Sequence, residues 1–193
     1  MSYVLKKYLK PVFFGSVIFI ALITWFITGS SNTPPIKGQM KNFKISNRVI
    51  PTPRIPFHDA NGNKKVLADF EGKVLLINFW ATWCAPCIRE IPSIARLHAK
   101  KDGQNFKVLP ISTDSKGAKA PLNFLKKIKQ TNLPIYVDTK MMLARAMGVN
   151  VLPTTILVDR RGKLIGRIVG AAEWDSAEAL ALINHYQKNN FDR

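Results

Sequence analysis

The sequence predicts an α/β fold, a central mixed β-sheet flanked by helices and preceded by one N-terminal transmembrane helix. Three observations carry this reading. Short apolar runs, Val74-Leu75-Leu76-Ile77 and Phe106-Lys107-Val108-Leu109-Pro110-Ile111-Ser112, have the length and composition of buried strands. Between them Ile88, Ile91, Ile94, Ala95 and Leu97 recur at helical spacing, giving a strand–helix–strand unit with a right-handed crossover and parallel strands. At the start of the chain, residues 12–28 form an apolar run without a charge, behind Lys6, Lys7 and Lys10.

A helix that spans hydrocarbon needs about 17–25 apolar residues, which residues 12–28 just supply. Trp25 sits near the far end, where interfacial aromatics gather, and the lysines in front place residues 1–11 in the cytoplasm by the positive-inside rule. A cleaved signal peptide is the competing reading, because Thr28 and Ser30 are small enough to flank a cleavage site. No cysteine stands here, which excludes a lipoprotein anchor. Both readings export the remainder of the chain. Residues 29–53, rich in Ser, Asn, Pro and Lys, read as a linker, leaving 54–190 for one domain.

Within that domain, residues 54–58 read as an edge strand, and Asp59-Ala60-Asn61-Gly62-Asn63 as a hairpin turn. The helix that carries Ile88, Ile91 and Leu97 should run to about residue 101 and stop near Asp102-Gly103. Pro110 weakens the case for a central strand over 106–112, since it cannot donate to a ladder. A helix over 120–130 would turn Leu122, Leu125 and Ile128 inward. A short extended segment at 135–138 precedes a helix over 140–147, and Met141, Met142 and Met147 read as packing. Arg160-Arg161-Gly162-Lys163 is a turn between strands at 155–158 and 164–169. Asp175 and Glu178 have capping-box spacing for a last helix.

The charge balance is unusual: 29 Lys+Arg against 12 Asp+Glu, a formal net charge of +17. Such a surface attracts acidic proteins or anionic lipid. The cations are scattered rather than grouped with a nucleic-acid motif, so no nucleic-acid role is expected.

Chemistry concentrates in Asn78-Phe79-Trp80-Ala81-Thr82-Trp83-Cys84-Ala85-Pro86-Cys87, which holds both cysteines of the chain. The pair sits where a strand gives way to a helix. Unpaired N–H groups and the positive end of the helix dipole favour an anion there, so a thiolate at Cys84 would be stabilised. Cys87, a turn further along, would be more enclosed and able to resolve a mixed disulfide. Pro86 suits the first turn, where its missing N–H costs nothing. A metal site would need ligands beyond two thiols, and the nearest histidines, His58 and His98, stand well away in the chain. A purely structural disulfide closing so small a loop would constrain little.

The string from Asn78 to Cys87, with Glu90 and Pro92 after it, resembles the thioredoxin superfamily, in its membrane-anchored branch of TlpA, ResA and CcmG type proteins. The stretch Gly170-Ala171-Ala172-Glu173-Trp174 looks most like TlpA. Resemblance implies a thioredoxin-like fold over residues 54–190, with Cys84 and Cys87 catalytic and Glu90 assisting proton transfer near them. It implies a cis bond before Pro153, with Leu152 offering its backbone to a substrate chain, and Trp83, Ala85 and Pro86 bordering the same place. Where thioredoxin keeps a buried acid this chain has Asn78, so that role is not carried over. From the residues alone Glu90 reads as an exposed helix charge, and Trp174 as either a partner surface or a buried anchor.

The function implied is a thiol:disulfide oxidoreductase tethered to the bacterial inner membrane and facing the periplasm. It would need no organic cofactor and no metal, the Cys84–Cys87 pair being the redox centre. Its expected partners are proteins with reducible cysteines: an oxidase copper-site subunit and its copper chaperone, or apocytochrome c. A membrane electron donor of the DsbD or CcdA type would restore the thiols. A tethered copper-binding chaperone using Cys84 and Cys87 is the non-enzymatic alternative.

Overall fold

The computed structural model describes residues 33–188. The expected transmembrane segment at 12–28 lies outside the described residues. The chain divides into two units, Met1–Pro34 and Pro35–Arg193, and the second carries the fold. It is an eight-stranded mixed sheet in the order β1-β8-β7-β4-β5-β6-β2-β3. In chain order the strands are β1 (Lys44–Ile45), β2 (Phe57–Asp59), β3 (Lys64–Lys65), β4 (Val74–Trp80), β5 (Phe106–Ser112), β6 (Tyr136–Val137), β7 (Thr154–Val158) and β8 (Leu164–Val169). Among the described residues four α-helices accompany them: α1 (Ala85–Lys101), α2 (Lys119–Lys127), α3 (Met142–Ala146) and α4 (Ala177–Lys188).

β4 is the axis of the sheet, buried at all seven positions. It pairs in parallel with β5 and antiparallel with β7, so neither edge reaches solvent. Strand alternation splits its side chains between two cores. Val74, Leu76 and Trp80 pack with Ile91 and Ile94 of α1 and Leu182 and Ile183 of α4. Leu75, Ile77 and Phe79 pack with Leu143 and Ala144 of α3, and with Phe57 and Leu67. Asn78 falls on the first of these faces and is the one polar residue in the strand.

Pro110 occupies a central strand after all, opposite Asn78. The reason is directional. In a parallel strand the N–H and C=O of one residue point to the same neighbour. Asn105 C=O accepts from Val74 and Thr113 N–H donates to Trp80, so the odd-numbered residues of β5 bond to β4. Ser112 C=O accepts from Asp138, so the even-numbered ones face β6. Pro110 therefore aims its missing donor toward β6, which pairs with β5 only at Ile111 and Ser112.

Several expected boundaries shift. The hairpin at Asp59 forms, its carboxylate accepting from the N–H groups of Asn61 and Asn63, both at 2.9 Å. The helix expected over 120–130 ends at Lys127, and that over 140–147 spans only Met142–Ala146. The last helix is capped by Ser176, whose Oγ accepts from Ala179 N–H at 3.2 Å, whereas Asp175 is taken by Arg96. The largest correction concerns the linker expected over 29–53. Its second half belongs to the domain: Met40 and Phe43 are buried, and β1 pairs with β8. Gly166 of β8 makes room for this segment, since a Cβ there would lie 2.5 Å from Lys44 O and 2.7 Å from the Phe43 ring. Two isolated aromatic and thioether side chains in polar surroundings gave no period from which to read this packing.

Truncating Phe43 to Ala should therefore destabilise the protein by about 3 kcal/mol, as a core aromatic does. Denaturant unfolding measures it; a change within about 0.5 kcal/mol would make Phe43 a surface residue.

Candidate active site

β4 ends at Trp80 and the chain turns through Ala81, Thr82 and Trp83 into α1. Asp114, buried at the end of β5, fixes that turn by accepting from Thr82 N–H at 3.0 Å and from Thr82 Oγ1 at 2.7 Å. Cys84 is the N-cap of α1, in extended conformation, and its sulfur accepts from Cys87 N–H at 3.3 Å. The two cysteines are joined as a disulfide, with Cα atoms 5.3 Å apart. Pro86 lies in the first turn, where a donor is not needed. Access to the pair is unequal: Cys84 is 6% exposed and Cys87 fully buried.

Trp83, Cys84, Ala85, Pro86 and Leu152 line one cleft with Met141, Val149, Asn150 and Val151, about 420 Å³ in volume. The Leu152–Pro153 peptide bond is cis. Pro153 is buried, and its carbonyl accepts from Gly170 N–H at 2.8 Å, tying the loop to the end of β8. Trp83 is 72% exposed, so it walls the cleft rather than sealing the disulfide. Val151 and Met142 are also more than half exposed, which gives the surroundings an apolar surface.

Of the three methionines read as packing, only Met147 is buried. Met141 borders the cleft from a left-handed backbone conformation, φ 53°. That turn is held by Asp138, whose carboxylate accepts from Met142 N–H at 2.9 Å and Ala144 N–H at 2.8 Å, while its carbonyl accepts from Met141 N–H. Asp138 in front of a helix of residues 140–147 was a readable cap, and with it the placement of Met141.

Glu90 stands three residues after Cys87 on α1 and is buried, unlike an ordinary helix carboxylate. Oε1 accepts from Asn78 Nδ2 at 2.7 Å; Oε2 accepts from Ala172 N–H at 3.2 Å and from the Trp174 indole N–H at 3.3 Å. Burial pushes its pKa up to about 7, against the opposing pull of these three donors. Trp174 is thus a buried anchor, not an exposed partner surface. Its backbone N–H donates to Ser93 Oγ at 3.0 Å, and Arg96 holds the flanking Glu173 and Asp175. Those outer ion pairs are solvent-exposed and contribute little energy, but they fix where the 171–175 segment lies on α1.

The structure therefore brings five of the sequence-derived residues to one cleft, sets Pro153 beside them, and places Cys87 and Glu90 in the core beneath. Among the described residues no cluster of His, Cys, Asp and Glu could hold a metal.

A helix-capping Cys-Ala-Pro-Cys disulfide after the central strand, with a cis-proline loop on the same cleft, defines a thioredoxin-superfamily thiol:disulfide oxidoreductase. The chain belongs to the Redoxin family, whose pattern it matches over residues 35–183. Thiol-disulfide oxidoreductase ResA of Bacillus thuringiensis is 34% identical over 118 residues, covering 61% of this chain and 67% of that protein. ResA of Bacillus subtilis is 32% identical over 118 residues, 61% of this chain and 65% of its own length. Among solved structures, a thioredoxin-family thiol:disulfide interchange protein from Chlorobium tepidum superposes with a TM-score of 0.59 at 25% identity, over 74% of this chain and 99% of its own. The exposed lipoprotein thioredoxin Etrx1 of Streptococcus pneumoniae gives 0.55 at 28% identity, over 70% and 98%. This chain is a thiol:disulfide oxidoreductase of the ResA branch, and its substrates are proteins with cysteines.

The raised pKa of Glu90 has a consequence for stability. The folded protein binds a proton that the unfolded chain has released once pH exceeds the ordinary carboxyl value of 4.5. Stability should therefore fall as pH rises from there to about 7 and then level off, by about 3 kcal/mol in all. Glu90→Gln should remove this slope in unfolding curves of the oxidised protein between pH 4.5 and 8; an unchanged slope would assign it elsewhere.

Proposed function

We propose that this protein is a membrane-tethered reductant working on the periplasmic side of the bacterial inner membrane, and that it reduces cysteines of proteins awaiting a metal or haem. The observation that carries the chemistry is the inequality of the disulfide. Cys84 lines an open apolar cleft against the Leu152–Pro153 loop, while Cys87 is sealed in the core a turn before Glu90.

In the reduced protein the Cys84 thiolate attacks one sulfur of a substrate disulfide. A bond forms between Cys84 Sγ and that sulfur, and the other substrate sulfur leaves as a thiolate and takes a proton. Glu90, with a pKa of about 7, is matched to accept the Cys87 proton. The Cys87 thiolate then attacks Cys84 Sγ and releases the second substrate thiol. Two electrons pass to the substrate, and the Cys84–Cys87 disulfide remains. Trp83, Ala85, Pro86 and Leu152 bound the space for the substrate chain. The thiols carry the electrons, so no metal or organic cofactor is required, and a membrane electron donor of the DsbD or CcdA type returns the pair to its reduced form.

For the substrate we favour the copper-site cysteines of a cytochrome oxidase subunit and its copper chaperone, from the likeness of the 170–174 stretch to TlpA. Similarity to ResA supports a second reading, the haem-binding cysteines of apocytochrome c. Trapping separates them. Cys87→Ser cannot resolve the mixed disulfide and should accumulate it with the true substrate in cells, identifiable by mass spectrometry, while Cys84→Ser should trap nothing. The reduction potential fixes the direction: about −250 mV or lower supports a reductant, and about −120 mV makes the protein an oxidant. Tight stoichiometric copper binding with slow exchange would instead favour a copper chaperone.

A further inference from the structure

Among the described residues, every hydrogen bond to the Glu90 carboxylate comes from a donor: the Asn78 amide nitrogen, the Ala172 N–H and the Trp174 indole N–H. A carboxylate accepts all three. A neutral carboxylic acid has one O–H to donate, and none of these three groups can accept it. Protonated Glu90 would leave that O–H facing another hydrogen inside the core.

Asn78 contains the remedy. Its Nδ2 is fully used, donating to Glu90 Oε1 at 2.7 Å and to Thr155 Oγ1 at 2.8 Å. Its Oδ1 is buried and, among the described residues, has no hydrogen-bond partner. A half-turn of the amide exchanges the two atoms and puts the oxygen between Glu90 and Thr155. The oxygen then accepts from the Glu90 O–H and from the Thr155 hydroxyl, which can donate as readily as accept. Two hydrogen bonds exist before the turn and two after it.

We infer that Asn78 is a positioning residue that turns its side-chain amide with the proton of Glu90, offering nitrogen to the carboxylate and oxygen to the acid. Trp174 and Ala172 serve the anion alone, because a backbone N–H and an indole N–H only donate. The turn also reverses the hydrogen bond to Thr155 on β7, two residues past Pro153, so the strand behind the cleft senses the proton. The other groups around Glu90 are Cys87 and Ser93 on α1, Ser93 Oγ donating to the Glu90 carbonyl. The charged residues adjoining Glu90 and its partners in the chain are Arg89, beside Glu90, Glu173, between Ala172 and Trp174, and Asp175; Arg89 and Glu173 are exposed, and Glu173 and Asp175 are held by Arg96.

The inference rests on Glu90 titrating, as the proposed mechanism requires. Its test uses the full chain with the disulfide intact and reads proton binding without any exchange step, so the two can fail separately. The Glu90 side-chain carboxyl carbon is followed by NMR from pH 5 to 9. Trp174→Phe removes a donor that serves only the anion and should raise the proton affinity of Glu90 about tenfold. Asn78→Leu removes a partner of both protonation states and should change it less than about threefold. An equal rise in the two variants would make Asn78 a fixed donor and overturn the inference, as would a Glu90 that does not titrate. In the unsubstituted protein, the magnetisation-transfer contacts between the Asn78 amide protons and the Thr155 side chain should be present above the transition and lost below it. Contacts that persist through the transition would equally refute the turn.

Discussion

The site depends on β4 being sealed on both faces and along both edges. A strand with seven buried residues cannot slide or fray, because a one-residue slip would carry Asn78 into the opposite core and expose every ladder bond to mismatch. Its end therefore fixes where the chain leaves the sheet, and α1 must start within one turn of that point. Cys84 is placed by this geometry together with its own bonds, its N–H donating to the Ala81 carbonyl and its sulfur accepting from Cys87 N–H. Asp114 completes the arrangement from the neighbouring parallel strand, gripping Thr82 by both backbone and hydroxyl. Cys84 Sγ thus sits at the junction of regular elements, while residues 141 and 149–152 contribute the remaining lining of the cleft.

Beneath the disulfide the molecule keeps a carboxylate where solvent cannot reach it, bonded to neutral donors rather than to a cation. Burial and hydrogen bonding pull its proton affinity in opposite directions, and burial wins. A lysine or arginine in place of Trp174 or Asn78 would instead favour the ionised carboxylate and pull its proton affinity down. The sequence surrounding the site avoids this even though the chain is rich in cations. Arg96, the basic residue of α1 closest to the 171–175 segment, commits its guanidinium to Glu173 and Asp175 at the surface.

Much of this was legible in the sequence because it is local. The apolar run of β4, the helical spacing of Ile88, Ile91 and Leu97, and the cysteines between them are neighbours in the chain, so period and composition suffice. The cis bond before Pro153 was legible only through resemblance, since nothing in the residues around it distinguishes cis from trans. What escaped notice is non-local. The residues alone make Glu90 a surface charge, set near the cysteines only by resemblance, and its partners Asn78, 12 residues before it, and Trp174, 84 residues after it, are too far apart in the chain to be read together. Pro110 argued against a central strand because a sequence does not say toward which neighbour a residue points. Met40 and Phe43 were hidden in a stretch whose polarity resembles a tether, although each fills part of the core.

The two ends of the sheet share a property. β1 and β3 are its outermost strands, each only two residues long, and between them they carry Lys44, Lys64 and Lys65. An uncovered β8 would instead have shown a six-residue border containing Leu164, Ile165, Ile168 and Val169. Short lysine-bearing borders resist pairing with a second sheet, since joining them would bring like charges together and gain few ladder bonds. Lys44, Lys64 and Lys65 therefore stand where they disfavour edge-to-edge pairing, in a protein that also carries an open apolar cleft.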